Sequence, residues 1–206
     1  MRRLADPQLT AQAFGVTEIP ACRNRRWEAT HRRIFAVAID LFEDLGFDKV
    51  SVGQIAGSAG VSVPTFYAHY PSKEHVVMAL PSAEQVRALL ATQPAGLPVG
   101  ERVRRMVTEN IAHMPPDEEE QLLRRWRIIA GHPVLRIRAA EFERATGAMA
   151  LEALPSVTGA AATTAEVVQV GAHLAAYTAG LLAWADGDGE RELDETLDQA
   201  FRALSG

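Results

Sequence analysis

The sequence predicts an all-α protein, and three observations support that prediction. From Asn24 onward, apolar residues recur three and four positions apart, which gives a helix one apolar face. No stretch of the sequence shows the alternation of apolar and polar residues that is typical of strands. Proline and glycine clusters divide the chain into about nine helical segments. With 206 residues, 48% of them hydrophobic, the chain is long enough to bury a core.

The first helix is predicted from about Arg25 to Leu45. Its apolar stripe consists of Ile34, Phe35, Ala38, Leu41, Phe42 and Leu45. Gly46 follows directly and suits the left-handed position that closes a helix. Residues 1–23 contain prolines and a glycine but few periodic apolar positions, so we expect a flexible N-terminal extension there.

A second helix is predicted from Val52 to Ala59. Ser51 and Gln54 have the Ser-x-x-Gln spacing of a capping box. Val50 and Ile55 occupy the two positions of a hydrophobic staple. Two independent signals therefore agree on where this helix begins.

A third, short helix is predicted after an interruption at Gly60. Ser62 is placed to cap it, and Pro64 is tolerable because it falls in the first turn. Pro71 ends it. The arrangement of a helix, a glycine-containing turn and a second helix is a helix-turn-helix.

Ser72 is predicted to cap a fourth helix, which continues to about Ala91 with a bend at Pro81. A connection rich in proline and glycine follows. Five more helices are then predicted over 99–113, 117–130, 134–153, 164–186 and 190–204.

The helix-turn-helix is the most informative feature, because its second helix must offer exposed groups to a major groove. The residues expected to face inward are Val61, Phe66, Ile55 and Ala56. The residues expected on the outer face are Val63, Thr65, Tyr67, Ala68 and His69. The valine side chain and the threonine methyl can make apolar contacts with thymine methyl groups. Tyr67, His69 and the nearby Lys73 can make polar contacts with phosphates.

Each of these residues also has a purely structural interpretation. Tyr67 could belong to the core, His69 could be a buried histidine with its hydrogen bonds satisfied, and Ser62 could be only a helix cap. The arginines at 2, 3, 23, 25 and 26 could form an arm that reaches the DNA, or a solvated basic tail.

The net charge of −5 is unevenly distributed. Residues 1–80 have nine Lys/Arg against eight Asp/Glu, and residues 81–206 have twelve against eighteen. A nearly neutral N-terminal part is thus followed by an acidic one that phosphates repel. This distribution excludes a protein that coats DNA through bulk basicity.

Several other classes of function find little support. The single cysteine, Cys22, excludes an intramolecular disulfide, and with no visible signal peptide we expect a cytoplasmic protein. The apolar stretch from Val167 to Trp184 contains Gln169 and His173, so we expect no membrane span. The acidic run 117–120 fits the first turn of a helix better than a metal site. Because no catalytic constellation can be singled out, we expect no enzyme, no metal and no cofactor.

The stretch from Ile34 to Leu80, IFAVAIDLFEDLGFDKVSVGQIAGSAGVSVPTFYAHYPSKEHVVMAL, resembles the N-terminal DNA-binding domain of the tetracycline-repressor (TetR) family of bacterial transcription regulators. By that resemblance, the residues that contact DNA are Ser51, Ser62, Val63, Thr65, Tyr67, His69 and Lys73. The pair Val63-Pro64 departs from the polar or small pair of many relatives. The resemblance implies a DNA-binding domain over 24–80 and a ligand-binding and dimerisation domain over 81–206.

The resemblance also implies that the last two helices form a four-helix interface in a homodimer. Candidate interface residues are Ala172, Ala176, Ala179, Gly180, Ala183, Leu193, Leu197 and Phe201. Helices five to eight, over residues 99–186, would enclose a pocket, with Met106, His113, Met114, Trp126, Arg127, Phe142, Met149, His173 and Tyr177 as candidate wall residues. Packing in the subunit's own core is the alternative interpretation for both sets.

The resulting hypothesis is a ligand-responsive repressor that leaves a pseudo-palindromic operator when a small molecule binds. Two alternatives stay open at this point. One is a ligand-binding or enzymatic α-helical protein with a vestigial helix-turn-helix, and the other is an interaction protein that uses its helices for assembly.

Overall fold

The computed structural model describes residues 25–78 and 81–204, including all of their side chains except those of 156–158. Over these residues the chain forms ten α-helices and one short 3-10 helix, and no strand. The predicted extension over residues 1–23 lies outside the described residues. The helices are α1 (Arg25–Leu45), α2 (Val52–Ser58), α3 (Val63–His69), α4 (Glu74–Val77), α5 (Ala83–Thr92), α6 (Val99–Ala112), α7 (Pro116–Ala130), α8 (Pro133–Thr158), α9 (Thr164–Asp186) and α10 (Leu193–Arg202).

Helices α1 to α4 form a compact unit, residues 25–78, which we call the head. Gly46 ends α1 with a φ of +87°, and the 3-10 helix Phe47–Lys49 follows. The predicted capping box is present, since the Ser51 hydroxyl accepts from the Gln54 amide and the Gln54 side chain accepts from the Ser51 amide. Ser62 caps α3 in the same way, by accepting from the Thr65 amide at 3.2 Å.

Helices α5 to α10 form the larger unit, residues 81–204, which we call the body. Here α9 packs against α6, α7, α8 and α10, so it is the central helix of this unit. The body core contains Leu90, Val103, Leu154, Leu181 and Leu197 among its most buried side chains. Within the described residues, α9 alone is long and apolar enough to cross a membrane by length and composition, a test that the core helix of a soluble protein also passes.

The predicted fourth helix is in fact two. Helix α4 ends at Val77, and α5 starts anew after Ser82, whose hydroxyl accepts from the Gln85 amide at 3.1 Å. Pro81 lacks an amide hydrogen, so a helix that continued through this point would lose one of its hydrogen bonds. The cap of α4 also differs from the prediction, because Lys73 occupies that position and the Ser72 hydroxyl bonds to the side chains of Glu74 and His75 instead.

Two further boundaries differ. Helix α8 runs through Pro155 to Thr158, beyond the predicted end at 153, and Gly159 with a φ of +79° then ends it. The packing of Ala153 and Leu154 in the body core holds the chain helical just before the proline. The last helix begins at Leu193, three residues later than predicted. Residues 187–189 form a turn at the predicted break, and residues 190–192 after it are not helical.

Candidate DNA-binding surface and ligand cavity

The surface of α3 is formed by two unusually exposed apolar side chains. Val63 is 41% exposed and Tyr67 is 52% exposed, whereas Phe66 between them is fully buried. Ser62, Pro64 and Ala68 are also exposed, and Thr65 is half-buried. The side of α3 that does not hold the head together is therefore open to solvent.

The predicted hydroxyl groups lie at the helix starts next to this surface. Ser51 and Ser62 are exposed, but each hydroxyl already bonds within its own helix. The Ser62 hydroxyl lies 2.7 Å from the Thr65 hydroxyl. Both serines thus fix the first turns of α2 and α3 while they remain within reach of a partner.

His69 is not on the exposed surface, contrary to the prediction that it contacts DNA. It is 8% exposed, and its ring centroid lies 4.4 Å from that of Trp27 and 5.6 Å from that of His31. Burial lowers the pKa of His69, which favours the neutral ring. His69 therefore joins α3 to the start of α1 from inside the head.

Lys73 is also engaged within the head. Its ammonium donates to the carbonyl oxygens of Phe47 at 2.9 Å and Val50 at 3.2 Å, and lies 4.3 Å from the centroid of the Phe47 ring. These contacts tie the start of α4 to the start of α2. The lysine that is exposed next to Ser51 is Lys49, which the sequence analysis did not single out. Both lysines and Tyr67 line one shallow groove of about 470 Å³.

A cavity of about 90 Å³ lies where the body meets the link that follows α4. Its wall consists of Val77, Met78, Pro81, Arg125, Trp126, Ile129, Ala139, Phe142, Glu143, Thr146, Leu174, Tyr177 and Thr178. Three of the predicted wall residues, Trp126, Phe142 and Tyr177, are among them. The cavity is therefore largely apolar, with a few polar groups.

The other six predicted wall residues lie elsewhere. Met106 is buried in the body core, and Met114 and Met149 pack against that core. His113 and Arg127 are exposed, and Arg127 pairs with Asp188 at 2.6 Å. His173 lies against Gly100, where α6 and α9 approach closely, and its ring nitrogen is 2.8 Å from the Gln169 carbonyl oxygen. None of the six lines this cavity because their helices turn them toward other neighbours.

Burial shifts the pKa values of the ionisable side chains that line the cavity. Arg125 is 8% exposed, and desolvation lowers its pKa. Burial raises the pKa of Tyr177 to about 12, so its phenol is neutral near pH 7. Burial also raises the pKa of Glu143, against the opposing effects of a Thr178 hydrogen bond and the Arg144 charge. Arg125 was not among the predicted wall residues, although it falls between Leu122 and Ile129 on the buried face of α7.

The predicted interface residues divide into two groups. Ala176, Gly180, Leu193, Leu197 and Phe201 are buried within the subunit, where a Cβ added to Gly180 would lie 2.7 Å from the Leu197 side chain. Buried side chains present no surface to a partner. Ala179 and Ala183 are exposed and Ala172 is half-buried. Together with exposed Val168, Gly171 and Ala175 they form a continuous strip along α9.

No group of three or more His, Cys, Asp or Glu side chains is placed to hold a metal ion in the described part of the chain. A helical head with an exposed helix-turn-helix, joined to a helical body with a cavity, is the architecture of a two-part DNA-binding regulator. Residues 34–80 match the family model of bacterial regulatory proteins of the tetR family. Residues 97–206 match the model of the MftR C-terminal domain. The chain belongs to the TetR family, as the sequence predicted.

Similar proteins agree with this assignment. The transcriptional regulator TcmR of Streptomyces glaucescens is 35% identical over 79 residues, which are 37% of this chain and 35% of TcmR. EthR of Mycobacterium tuberculosis is 40% identical over 67 residues, 30% of this chain and 31% of EthR. The matches thus span about a third of these relatives. The crystal structure of NalD, the secondary repressor of a multidrug efflux pump in Pseudomonas aeruginosa, has a TM-score of 0.51 and 22% identity, and the match covers 87% of this chain and 97% of NalD, which shows the fold.

Proposed function

We propose that the chain is a transcriptional repressor that binds a pseudo-palindromic DNA operator as a homodimer and leaves it when a small molecule occupies the cavity. The observation that supports this most directly is the exposure of Val63 and Tyr67 on a helix whose opposite side, at Phe66, is fixed in the head core. A rigid helix with an open apolar and phenolic surface suits a major groove.

Distinct roles follow for the residues around α3. Val63 and the Thr65 methyl contact bases, in particular thymine methyl groups. Tyr67, Ser51, Ser62 and exposed Lys49 contact phosphates. His69 and Lys73 position the surface from behind, since the His69 ring packs against Trp27 and the Lys73 ammonium donates to a backbone carbonyl inside the head. This division revises the sequence-based set, in which His69 and Lys73 were direct contacts.

The dimer is proposed to form through the exposed strip of α9. Small side chains at 171, 175, 179 and 183 allow two helices to approach closely, and Val168 adds an apolar end. In a two-fold dimer the same strip faces its own copy. The two α3 helices then enter successive major grooves about 34–36 Å apart.

The cavity is proposed to link ligand binding to DNA binding. Val77 and Met78 belong to the head, and they share the cavity wall with residues of α7, α8 and α9. A ligand that favours a different position of this wall changes the separation of the two heads, so ligand and DNA weaken each other's binding. Under this proposal the chain is cytoplasmic, has no catalytic role and does not associate with a membrane.

Fluorescence anisotropy with a labelled DNA fragment from upstream of the protein's own gene tests the proposal. We expect Tyr67→Ala to weaken binding about tenfold, because a phosphate contact and ring area are lost, and to flatten the salt dependence. Leu204→Ala is the matched control, since Leu204 is an exposed apolar residue of the body, 42% exposed, and lies outside the head. Equal affinities of the Tyr67→Ala variant and the unmodified protein, or binding to unrelated DNA with equal strength, would contradict the proposal.

A further inference from the structure

We propose that Arg25 and Arg26, at the start of α1, bind DNA phosphates on the strand opposite to the one that Tyr67 contacts. This inference rests on the proposed function, which places α3 in a major groove. It goes beyond that function in naming a second phosphate-binding surface of the head. Three observations lead to it: the charge distribution along α1, the state of its exposed arginines, and the position of its first turns against α3.

The charge of α1 is divided between its two ends. Residues 25–33 contain four arginines and one glutamate, whereas residues 34–45 contain three carboxylates and no lysine or arginine. The acidic end lies against the body, where Asp40 and Glu43 pair with Arg124. The negative charge of α1 is thus balanced within the protein at one end, while positive charge accumulates at the other.

The exposed arginines of the basic end differ from most arginines of the body. The side chains of Arg25, Arg26 and Arg32 form no ion pair and no hydrogen bond within the described residues. Six arginines of the body do pair with carboxylates, at positions 104, 105, 124, 127, 136 and 138. Neighbouring guanidinium groups repel each other, so an anion that approaches both is attracted by the sum of their charges. Arginine is also well suited to phosphate, because its planar fork donates two parallel hydrogen bonds.

The first turns of α1 are held beside the helix-turn-helix. The ring centroid of Trp27 lies 4.4 Å from that of His69, which is the last residue of α3. Further along α1, Arg33 donates to the carbonyl oxygen of Ala59, at the end of α2, at 2.9 Å. Arg26 directly precedes Trp27, so its backbone is fixed next to the end of the helix that reads DNA.

The start of α1 lies on the side of α3 that is opposite to Tyr67. Two positions along an α-helix correspond to a rotation of about 200°, so Tyr67 and His69 point in nearly opposite directions. The Tyr67 side opens into the shallow groove described above, and the His69 side packs against the start of α1. A helix in the major groove has one DNA strand on each side. Tyr67 therefore faces one strand, and Arg25 and Arg26 face the other.

Fluorescence anisotropy over a range of salt concentrations tests the inference, with a labelled DNA fragment from upstream of the protein's own gene. Each phosphate contact releases counterions and adds about 0.9 to the slope of log affinity against log salt concentration. Arg25→Gln and Arg26→Gln should each weaken binding about tenfold and make this slope shallower by about 1 for each bound head. Arg26→Lys should retain most of the slope, because lysine also neutralises a phosphate. Arg87→Gln is the matched control, since Arg87 is an exposed arginine of α5 that forms no ion pair within the described residues.

The slope separates a phosphate contact from a structural role. Glutamine favours helix about as well as arginine, and circular dichroism should show that the variants remain folded. Unchanged affinity and slope in both glutamine variants would overturn the inference. Weaker binding with an unchanged slope would also overturn it, because that result indicates an altered head and not a lost phosphate contact. An equal effect of Arg87→Gln would have the same meaning.

Neutral methylphosphonates, placed one at a time along each strand of a half-site, identify the phosphates that are bound. In the unmodified protein, substitutions on both sides of the groove should weaken binding. The positions that lose their effect in Arg26→Gln should lie on one strand, and those that lose it in Tyr67→Ala on the other. If both sets lie on the same strand, the inference is wrong.

An unrelated DNA duplex at low salt separates this inference from the proposed function. Binding of the upstream fragment that is the same in the unmodified protein and in both glutamine variants contradicts the inference alone. Equal binding of both fragments, with a slope that depends on Arg25 and Arg26, contradicts the proposed function alone. Binding of neither fragment would overturn both.

Discussion

The head and the body use buried polar residues in different ways. In the head, His31 and His69 lie in a cluster of rings with Trp27 and Tyr70, where centroids are 4.3–5.6 Å apart. In the body, the buried polar residue of interest is Arg125, next to a cavity. The head thus fills its core around polar rings, whereas the body leaves space beside a charge.

This difference indicates that the packing of the head is rigid, whereas the packing of the body can change when a ligand binds. A filled aromatic core holds α3 in one orientation, as a DNA-reading helix requires. A cavity gives the body a place where a ligand can change the packing. The two units are not independent, however, because Ile129, Leu135 and Ala139 of the body complete the head core.

The largest expected effect comes from truncating one large buried side chain in the core of the head or in the core of the body. Phe66→Ala should lower the free energy of unfolding by about 3–5 kcal/mol and Leu197→Ala by about 2–5 kcal/mol, since both side chains are fully buried. Because helices α7 and α8 contribute buried residues to both cores, urea unfolding followed by circular dichroism should show one transition in both variants. Two separate transitions would mean that head and body are independent units.

The head could be predicted from the sequence at the level of single residues. Ser51, Gln54 and Ser62 define helix starts through local hydrogen bonds, and these bonds depend only on residues three positions apart. Gly46 and Gly60 have positive φ angles of 87° and 64°, which glycine tolerates best. Local rules therefore suffice where neighbours in sequence are neighbours in space.

The interior of the body could be predicted only in part. Trp126 and Phe142 line the cavity as expected, but so does Arg125, whose charge favours a surface position on sequence rules alone. His69 shows the same limit in the head, since Trp27 covers it from 42 positions earlier in the chain. The side that a residue faces depends on which distant helix packs there, and periodicity does not contain that information.

The second largest expected effect is a dependence of head stability on pH. Burial and the neighbouring His69 lower the pKa of His31 to about 4 from an ordinary value of 6.5. Since the unfolded chain then binds more protons, the stabilisation is complete above pH 6.5 and is lost as the pH falls toward 4. We expect the free energy of unfolding to fall by up to about 1.4 kcal/mol per pH unit from His31 alone.

Urea unfolding at several pH values checks this expectation. His31→Phe keeps a ring against Trp27 and Tyr70, so it should flatten the dependence between pH 6.5 and 4. His113→Phe is the control at an exposed histidine of the body. An equal slope in His31→Phe and the unmodified protein would show that the buried rings of the head do not set its pH dependence.

A smaller effect is expected from two glycines of α9 that face opposite environments. Within one subunit, Gly171→Ala should add about 1 kcal/mol of stability, because its added Cβ meets nothing within 4 Å there and alanine favours helix. Since Gly171 lies in the proposed dimer strip, the comparison is made at protein concentrations low enough to keep the subunits apart. Gly180→Ala places its Cβ 2.7 Å from the buried Leu197 side chain, so it should be about 1–3 kcal/mol less stable than Gly171→Ala. Thermal unfolding at equal protein concentration compares them, and equal melting temperatures would contradict the close packing of α9 on α10.

The smallest expected effect is at the ionic contact between the two units. The Arg124 guanidinium of α7 donates to both carboxylate oxygens of Glu43 at 3.0 Å and to Asp40 at 2.6 Å, both on α1. These hydrogen bonds raise the pKa of Arg124. Arg124→Met retains most of the apolar stem and removes the charge, so the free energy of unfolding should fall by about 1 kcal/mol, and by less at high salt.

Arg105→Met is the matched control, because Arg105 pairs with Glu109 at 2.5 Å within α6, and its other contact, with Gln93, also lies in the body. Hydrogen exchange distinguishes the two variants better than total stability does. Loss of the Arg124 contact should speed exchange of α1 amides relative to those of α9, since it loosens the head from the body without opening the body core. Equal exchange of α1 in both variants would mean that shared apolar packing at Ile129 and Leu135 holds the head in place, and that the ionic contact adds nothing to it.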